Sequence, residues 1–193
     1  SNNTSIGYDS LSGNTTASNN TAVGFEALKA NTTATENTAV GHQSMLSNTT
    51  GGDNTAFGQV SLKSNTTGAS NVAIGRKALQ DATTASQNTA VGTSAMENVT
   101  TGTENASVGY QTLDALTTGG QNVAVGHSAL SSATTSSDNT AVGKSALASV
   151  TTGINNVAVG SGALGAATGS SNTAVGSQAA QNTSTGADNT AVG

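Results

Sequence analysis

Several residue types are missing or scarce in this sequence, and each absence excludes a class of protein. The chain has no cysteine, so it forms no disulfide and has no thiolate chemistry, which fits an extracellular bacterial or viral structural protein without establishing the compartment. It has no proline, and aromatic residues are only 2% of the total, so large side chains cannot fill a thick core. No apolar run approaches the roughly 20 residues that a membrane-spanning helix needs. Residues 1–193 also contain no signal-peptide pattern. We therefore expect no membrane insertion of this segment.

Charged residues are also scarce, at 8% of the 193 residues, and the net charge is −5. This charge is too small to keep a chain expanded, and the apolar residues recur at a fixed phase, so the composition does not indicate disorder. Five cations cannot form a basic stripe, which predicts that the chain does not bind nucleic acid. The five are Lys29, Lys63, Arg76, Lys77 and Lys144.

The dominant feature of the sequence is the pentapeptide Asn-Thr-Ala-Val-Gly, which first stands at residues 20–24 and recurs to residues 189–193. Its glycine returns every 17 residues, apart from one interval of 16 between Gly160 and Gly176. A fixed period along a whole chain indicates a repeat architecture. We number the positions of each unit from its leading asparagine. Residues 1–193 are predicted to form one continuous array, excerpted from a longer fibrous protein, with the residue missing near Thr168 absorbed in a loop.

The pattern within one unit predicts an all-β fold. Positions 2–4 alternate β-branched and small residues between Asn and Gly, which indicates a short strand, and positions 7–10 are predicted to form a second one. A Thr-rich segment then returns the chain to the next unit. One unit is therefore one turn of a parallel β-solenoid with two short strands per turn. About eleven turns would give a rod about 53 Å long at the usual strand spacing of about 4.8 Å.

Three sets of residues are expected to hold the coil together. The asparagines at position 1 are predicted to stack their amides into a ladder. The glycines at position 5 are predicted to turn the corner after the strand. The apolar residues at positions 4 and 9 are predicted to point inward as the core, and the alanines at positions 3 and 8 to mark the close approach of neighbouring chains. The ladder residues are Asn20, Asn37, Asn54, Asn71, Asn88, Asn105, Asn122, Asn139, Asn156 and Asn172. The corner residues are Gly24, Gly41, Gly58, Gly75, Gly92, Gly109, Gly126, Gly143, Gly160 and Gly176. The core residues are Val23, Leu28, Val40, Met45, Phe57, Leu62, Ile74, Leu79, Val91, Met96, Val108, Leu113, Val125, Leu130, Val142, Leu147, Val159 and Leu164.

Position 12 changes character along the chain. It is asparagine in the first four units and alanine, valine or leucine in the next six. This gradient predicts that the corner at position 12 is more hydrated in the N-terminal third. Equal solvent exposure of Asn31 and Val150 would contradict the hypothesis.

No catalytic constellation is evident in the sequence. His42 and His127 are the only histidines and lie five turns apart, about 24 Å at the usual strand spacing, so they are expected to be exposed and unable to share a site. Of the acids at position 17, only Glu36 and Asp53 lie on adjacent turns, which favours turn capping over calcium binding. No serine has a histidine and an acid arranged as a triad. We expect no enzyme activity, no metal site and no cofactor.

Two surface features leave alternatives open. Sequons at Asn14, Asn31, Asn48 and Asn65 allow surface glycosylation. Paired threonines at positions 13 and 14 raise the possibility of ice binding. Adjacent side chains of an extended chain point to opposite sides, however, so the pair supplies at most one outward column.

The segments Asn71-Val72-Ala73-Ile74-Gly75 and Asn156-Val157-Ala158-Val159-Gly160 resemble the YadA-like head repeat of trimeric autotransporter adhesins. Similar units also resemble repeats of phage tail-fibre-like proteins. The first resemblance covers the whole chain, although the unit here is a few residues longer, with Thr-Thr-Gly as the addition. It implies a left-handed β-roll, three chains side by side, and adhesion at a cell surface.

These observations together predict a structural protein. The expected function is a stiff fibre or adhesin segment, extracellular on a cell surface or virion, whose partners are further copies of itself in a homotrimer or filament. A host-surface receptor or glycan is the other expected partner. The alternatives are a threonine face that binds ice or glycan, or receptor binding by a phage tail fibre. A tailspike-like hydrolase is a third reading, and it has too few aligned acids.

Overall fold

The computed structural model describes residues 2–193. In it, each repeat unit forms one three-residue strand, at positions 2–4. Residues 2–193 contain no helix long and apolar enough to cross a membrane. The fold is all-β, a parallel β-solenoid of about eleven turns. The twelve strands of the described chain are β1 Thr4–Ile6, β2 Thr21–Val23, β3 Thr38–Val40, β4 Thr55–Phe57, β5 Val72–Ile74, β6 Thr89–Val91, β7 Ala106–Val108, β8 Val123–Val125, β9 Thr140–Val142, β10 Val157–Val159, β11 Thr173–Val175 and β12 Thr190–Val192.

All the strands lie in one parallel sheet in chain order, so each strand pairs with the strand of the next turn. The register is the repeat itself: Ala39 pairs with Ala56, and Val40 with Phe57. The 16-residue interval does not disturb it, because Ala158 still pairs with Ala174. The shortened turn is therefore accommodated outside the sheet, in the return loop, as the sequence predicts.

The predicted second strand at positions 7–10 is wrong. Positions 7 and 9 adopt left-handed backbone conformations, as at Glu26 (φ 53°) and Leu28 (φ 50°), which a strand cannot contain. The segment is a series of turns, yet its backbone still bonds between coils, because the Leu28 N–H donates to the Ser44 carbonyl at 3.0 Å. Each turn thus has one strand and a hydrogen-bonded irregular segment.

The core prediction is right at position 9 and wrong at position 4. Leu28 has no solvent exposure, whereas Phe57 is 57% exposed. Side chains alternate across a strand, and alanine at position 3 points inward, so the residues at positions 2 and 4 point outward. The inward residues at position 9 are Leu28, Met45, Leu62, Leu79, Met96, Leu113, Leu130, Leu147 and Leu164. The residues corrected from core to outer surface, half-buried or exposed, are Val23, Val40, Phe57, Ile74, Val91, Val108, Val125, Val142 and Val159.

The small residues at positions 3 and 8 lie inside the coil and not on an outer surface. Ala22 and Ala27 are both completely buried and belong to the same apolar core as Leu28. The prediction that these alanines mark the approach of neighbouring chains is therefore wrong. Their size has another reason: the narrow interior of one turn is already filled by the side chains at positions 9 and 12, such as Leu113 and Leu116, which are both completely buried.

The hydration gradient predicted at position 12 is also wrong, because Asn31 and Val150 both have 0% exposure. The asparagines are buried because they bond to one another from turn to turn. The Asn48 amide nitrogen donates to Asn31 Oδ1 at 3.0 Å, and that of Asn65 donates to Asn48 Oδ1 at 2.7 Å. The change from asparagine to apolar residues is a change in the chemistry of one buried column.

The corner after each strand requires glycine for two reasons. Gly24 has a φ of 136°, a backbone conformation that residues other than glycine rarely adopt. A Cβ atom on Gly24 would also lie 2.4 Å from the carbonyl oxygen of Gly41 in the next turn. The glycine column therefore allows successive turns to stack closely at this corner.

Candidate interaction face

The outward side of the sheet forms a continuous, uncharged surface, which we call the sheet face and define as positions 2 and 4 of every turn. Position 4 supplies a column of apolar side chains along the whole rod, and many of them are more than a third exposed. No Asp, Glu, Lys or Arg occurs at either position. The position-4 residues are Ile6, Val23, Val40, Phe57, Ile74, Val91, Val108, Val125, Val142, Val159, Val175 and Val192.

The second column of the sheet face, at position 2, is mostly threonine. Valine or alanine replaces it in four turns. Across residues 2–193, none of the position-2 hydroxyls makes a hydrogen bond within the chain, whereas the position-13 threonines do. The sheet face therefore presents methyl and hydroxyl groups in a regular array. The threonines are Thr4, Thr21, Thr38, Thr55, Thr89, Thr140, Thr173 and Thr190.

Two polar rims border the sheet face. The rim at position 17 carries five exposed acids and no cation, and we call it the acidic rim. The rim at position 6 carries exposed cations, imidazoles and phenols and no acid, and we call it the donor rim. Members of the acidic rim are Glu36, Asp53, Glu104, Asp138 and Asp188. Members of the donor rim include His42, Gln59, Arg76, Tyr110, His127 and Lys144.

Aromatic rings of the donor rim stack on one another along the rod. The Phe25 ring lies between Tyr8 and His42, with centroid separations of 5.5 and 5.2 Å. Tyr110 and His127 form a second, tilted pair at 5.2 Å. Stacked rings cover each other's faces, so mainly edges remain for a ligand. His42 and His127 lie in separate stacks, and no three His, Cys, Asp or Glu residues of the described chain are placed to hold a metal ion.

A charged cluster near the N-terminus ties neighbouring turns together on another side of the coil. The Lys29 ammonium lies 2.6 Å from Glu26 and 3.1 Å from Asp9. Hydrogen bonds from Lys29 and Gln43 hold the pKa of Glu26 below its usual value, and those from Lys29 to Glu26 and Asp9 raise the pKa of Lys29. A shallow hollow beside Leu46 contains this lysine. Because two acids neutralise it, the hollow has no free cation for an anionic ligand.

A second group of acids lies at position 10 of adjacent turns. Burial would raise the pKa of Glu97, but hydrogen bonds from Lys77, 2.8 Å away, and from Ser94 hold it below its usual value. Asp114, in the next turn, has no cation beside it. Burial and the nearby Glu97 charge raise its pKa, and its Oδ1 atom has no hydrogen-bond partner in residues 2–193. Glu97 and Asp114 are therefore a local electrostatic defect. They are not arranged as two carboxylates that face each other across a cleft.

The position-1 asparagines form a buried ladder, although its main link differs from the predicted amide-to-amide stack. Asn122 Oδ1 accepts the backbone N–H of Asn139 at 3.2 Å, and its Nδ2 donates to the Ser136 carbonyl at 2.9 Å. Each side chain therefore joins the strand of the next turn to the return loop of its own turn. Amide-to-amide bonds are added from Asn71 onward, directed to the preceding turn.

The paired threonines and the sequon asparagines lie in the return loop, where hydrogen bonds and burial determine which of their side chains are free. The Thr32 hydroxyl donates to the Thr49 carbonyl of the next turn at 3.0 Å, while Thr33 is exposed, so the pair supplies a single free column. The sequon asparagines Asn31, Asn48 and Asn65 are completely buried, which rules out glycosylation of these amides in the folded chain. Asn14 is half-buried.

Comparison of the chain with protein-family models, with curated proteins and with solved structures returned no match.

Proposed function

We propose that this chain is a structural segment of an extracellular fibre, a stiff β-solenoid that associates with further copies of itself in a homotrimer. Outside that contact, the variable positions 6, 7, 10 and 11 present a repetitive surface for attachment to a receptor or glycan. The proposal assigns a mechanical function, in which stiffness and repetition replace a binding pocket.

The observation that carries the proposal is the uncharged sheet face, which runs unbroken over all the strands of residues 2–193. Soluble monomers rarely expose an apolar patch beyond a few hundred Å², and larger patches mark association surfaces. Val108 and Val125 are 43% and 38% exposed at the middle of the rod, where no end effect explains it. A second copy of the chain carries the same apolar column and can cover it.

Stiffness follows from the way the turns are joined. Every turn bonds to the next through the strand ladder and the asparagine side chains, and most turns also through the position-13 hydroxyls, as at Thr49 Oγ1 to the Thr66 carbonyl at 2.9 Å. In a solenoid, stability is approximately a sum over such neighbouring interfaces. Bending the rod would require several of these buried bonds to lengthen together.

Light scattering coupled to size exclusion tests the self-association. The expected mass is three times the 18.5 kDa of one chain. The double variant Val108→Lys, Val125→Lys places charges on the sheet face and should give monomers. Its matched control, Thr101→Lys with Thr118→Lys, puts the same charges on the exposed return loop and should keep the wild-type mass. A wild-type chain that stays monomeric at high micromolar concentration would overturn the proposal.

A second candidate function, ice binding, is favoured by the free hydroxyls of the position-2 column. The position-2 and position-4 side chains form two parallel columns. Neighbours are about 4.8 Å apart between turns and about 6.6 Å apart along each strand. Such an array of methyl and hydroxyl groups can order water. This function needs an uncovered sheet face, so it predicts a monomer with thermal hysteresis at micromolar concentration, abolished in Val108→Lys, Val125→Lys. Absence of hysteresis in a monomeric sample removes it.

A further inference from the structure

The rims of the sheet face differ in charge, which constrains how two copies can pack. Each charged residue at position 17 is an acid, and each charged residue at position 6 is a cation. The ion pairs found in residues 2–193 join Lys29 to Asp9 and Glu26, and Lys77 to Glu97, so they use neither rim. Both rims therefore present exposed polar groups without an ionic partner inside their own chain.

The rims also match turn by turn. A residue at position 17 and the residue six places later, at position 6, flank the same strand and so lie at nearly the same height along the rod. Asp138 and Lys144 flank β9 in this way, and Glu36 and His42 flank β3. In two further turns the group opposite the acid is again a hydrogen-bond donor. These are Asp53 with Gln59, and Glu104 with Tyr110.

These groups cannot meet within one chain. Six residue steps of about 3.3 Å separate them across the sheet face, up to about 20 Å. Rotation about an axis parallel to the rod preserves height and brings the acidic rim of one copy to the donor rim of the next, for two-fold and three-fold symmetry alike. An antiparallel face-to-face pair would instead place acids opposite acids, which costs association energy.

We propose that copies of this chain associate parallel and in register, with their sheet faces turned towards a common axis and Asp138 of one copy beside Lys144 of its neighbour. This inference rests on the proposed self-association and adds its orientation and register. The sheet face is about 53 Å long and up to about 20 Å wide between the rims, so each chain can bury on the order of 1,000 Å², all against one neighbour in a dimer and divided between two in a trimer. A stable interface needs about 800 Å² from each partner.

Disulfide trapping tests the orientation in a chain that has no cysteine of its own. In the double variant Asp138→Cys, Lys144→Cys, the two thiols of one chain lie too far apart to bond, since a disulfide needs Cα atoms within about 7 Å. Mild oxidation should therefore link different chains and give covalent dimers and trimers on a non-reducing gel. The control Thr135→Cys, Lys144→Cys carries one thiol on the exposed return loop and should run as a single chain, as should Asp138→Cys alone.

Two outcomes separate this inference from the function on which it rests. If light scattering of the reduced double variant shows an oligomer that oxidation does not link, the parallel register is overturned and self-association stands. If the mass remains 18.5 kDa, both fail. Charge reversal gives a second test: Asp138→Lys should weaken association about two- to fivefold, the range for an exposed ion pair. Adding Lys144→Asp should restore it, and failure to restore would contradict the pairing.

Discussion

The amide nitrogen of Asn65 lies 2.7 Å from Oδ1 of Asn48, and Asn65 is the last link of the position-12 ladder. Its own Oδ1 atom is buried without a partner in the described chain, because the next turn has Ala82 at this position. The ladder therefore has an end inside the protein. Links and end should respond differently to the same substitution.

Asn48→Val should destabilise the fold more than Asn65→Val. The first removes the donor of Asn31 Oδ1 and adds an unpaired buried acceptor, which costs about 1–3 kcal/mol. The second moves the unpaired oxygen from Asn65 to Asn48, and the Gly68 carbonyl, which loses Asn65, keeps its bond from Asn54. It should be nearly neutral, since Val99 already occupies this column without exposure. Denaturant unfolding of both variants measures the difference. Equal losses would contradict the ladder as the source of stability.

Asn122→Ala should be among the most damaging single changes in the chain. It leaves the buried N–H of Asn139 and the Ser136 carbonyl without their amide partners. Two unsatisfied buried groups cost on the order of 2–6 kcal/mol. Thermal unfolding followed by circular dichroism gives the measurement. Asn182→Ala, on an exposed side chain with no hydrogen bond, is the control and should unfold as the wild type does.

Val60→Gly should stabilise the protein. Val60 is a β-branched residue held at φ 52°, in the left-handed region that costs non-glycine residues about 1–2 kcal/mol. We expect a net gain of about 1 kcal/mol after the larger entropy of glycine in the unfolded chain. The chain supplies the converse test, because Gly162 occupies the equivalent position at φ 67°, and a Cβ atom there would make only ordinary contacts, 3.6 Å from Gln178 and 3.8 Å from Gln181. Gly162→Val should lose about 1–2 kcal/mol. If the free energy of unfolding changed in the same direction in both variants, backbone strain at this position would be disproved as the cause.

Asp114→Asn should raise the melting temperature at pH 7. Burial raises the pKa of Asp114 above its unfolded value, so the folded state binds the proton more tightly. The stability associated with this group is complete below the unfolded pKa and falls as pH rises through the raised folded pKa. The increase in melting temperature that Asp114→Asn gives should therefore vanish at pH 3, where the wild-type carboxyl is protonated. Asp81→Asn, which keeps an oxygen for the Gln80 amide, is the control. A gain that persists at pH 3 would refute the electrostatic cause.

The period and phase of the fold could be predicted from the sequence, because Gly24, Leu28 and their equivalents recur without drift. The inward face of the strand could not be derived from hydrophobicity, which favours Val23 over Ala22. The informative signal was size: position 3 is always alanine or serine, as a narrow interior requires, while position 4 admits Phe57. The apolar sheet face was missed for this reason.

Two other features had no usable signal in the sequence. The left-handed conformation of Glu26 and Leu28 leaves no mark in residue type, because the cost is borne by ordinary residues and repaid by bonds between turns. The asparagine at position 12, such as Asn31, suggests a hydrated corner when only the sequence is considered. A polar residue in one unit gives no indication that its hydrogen-bond partner lies 17 residues away. Both features are properties of the stacked array and not of a single turn.

The one 16-residue turn shows where the repeat can change length. Its missing residue is a threonine of the return loop, and the strands on either side, β10 and β11, keep their pairing. The return loop is therefore the segment where we expect a change of length, including an inserted epitope, to leave the strand register intact. The rod can in this way serve as a molecular ruler that displays guest peptides at intervals set by the spacing between turns.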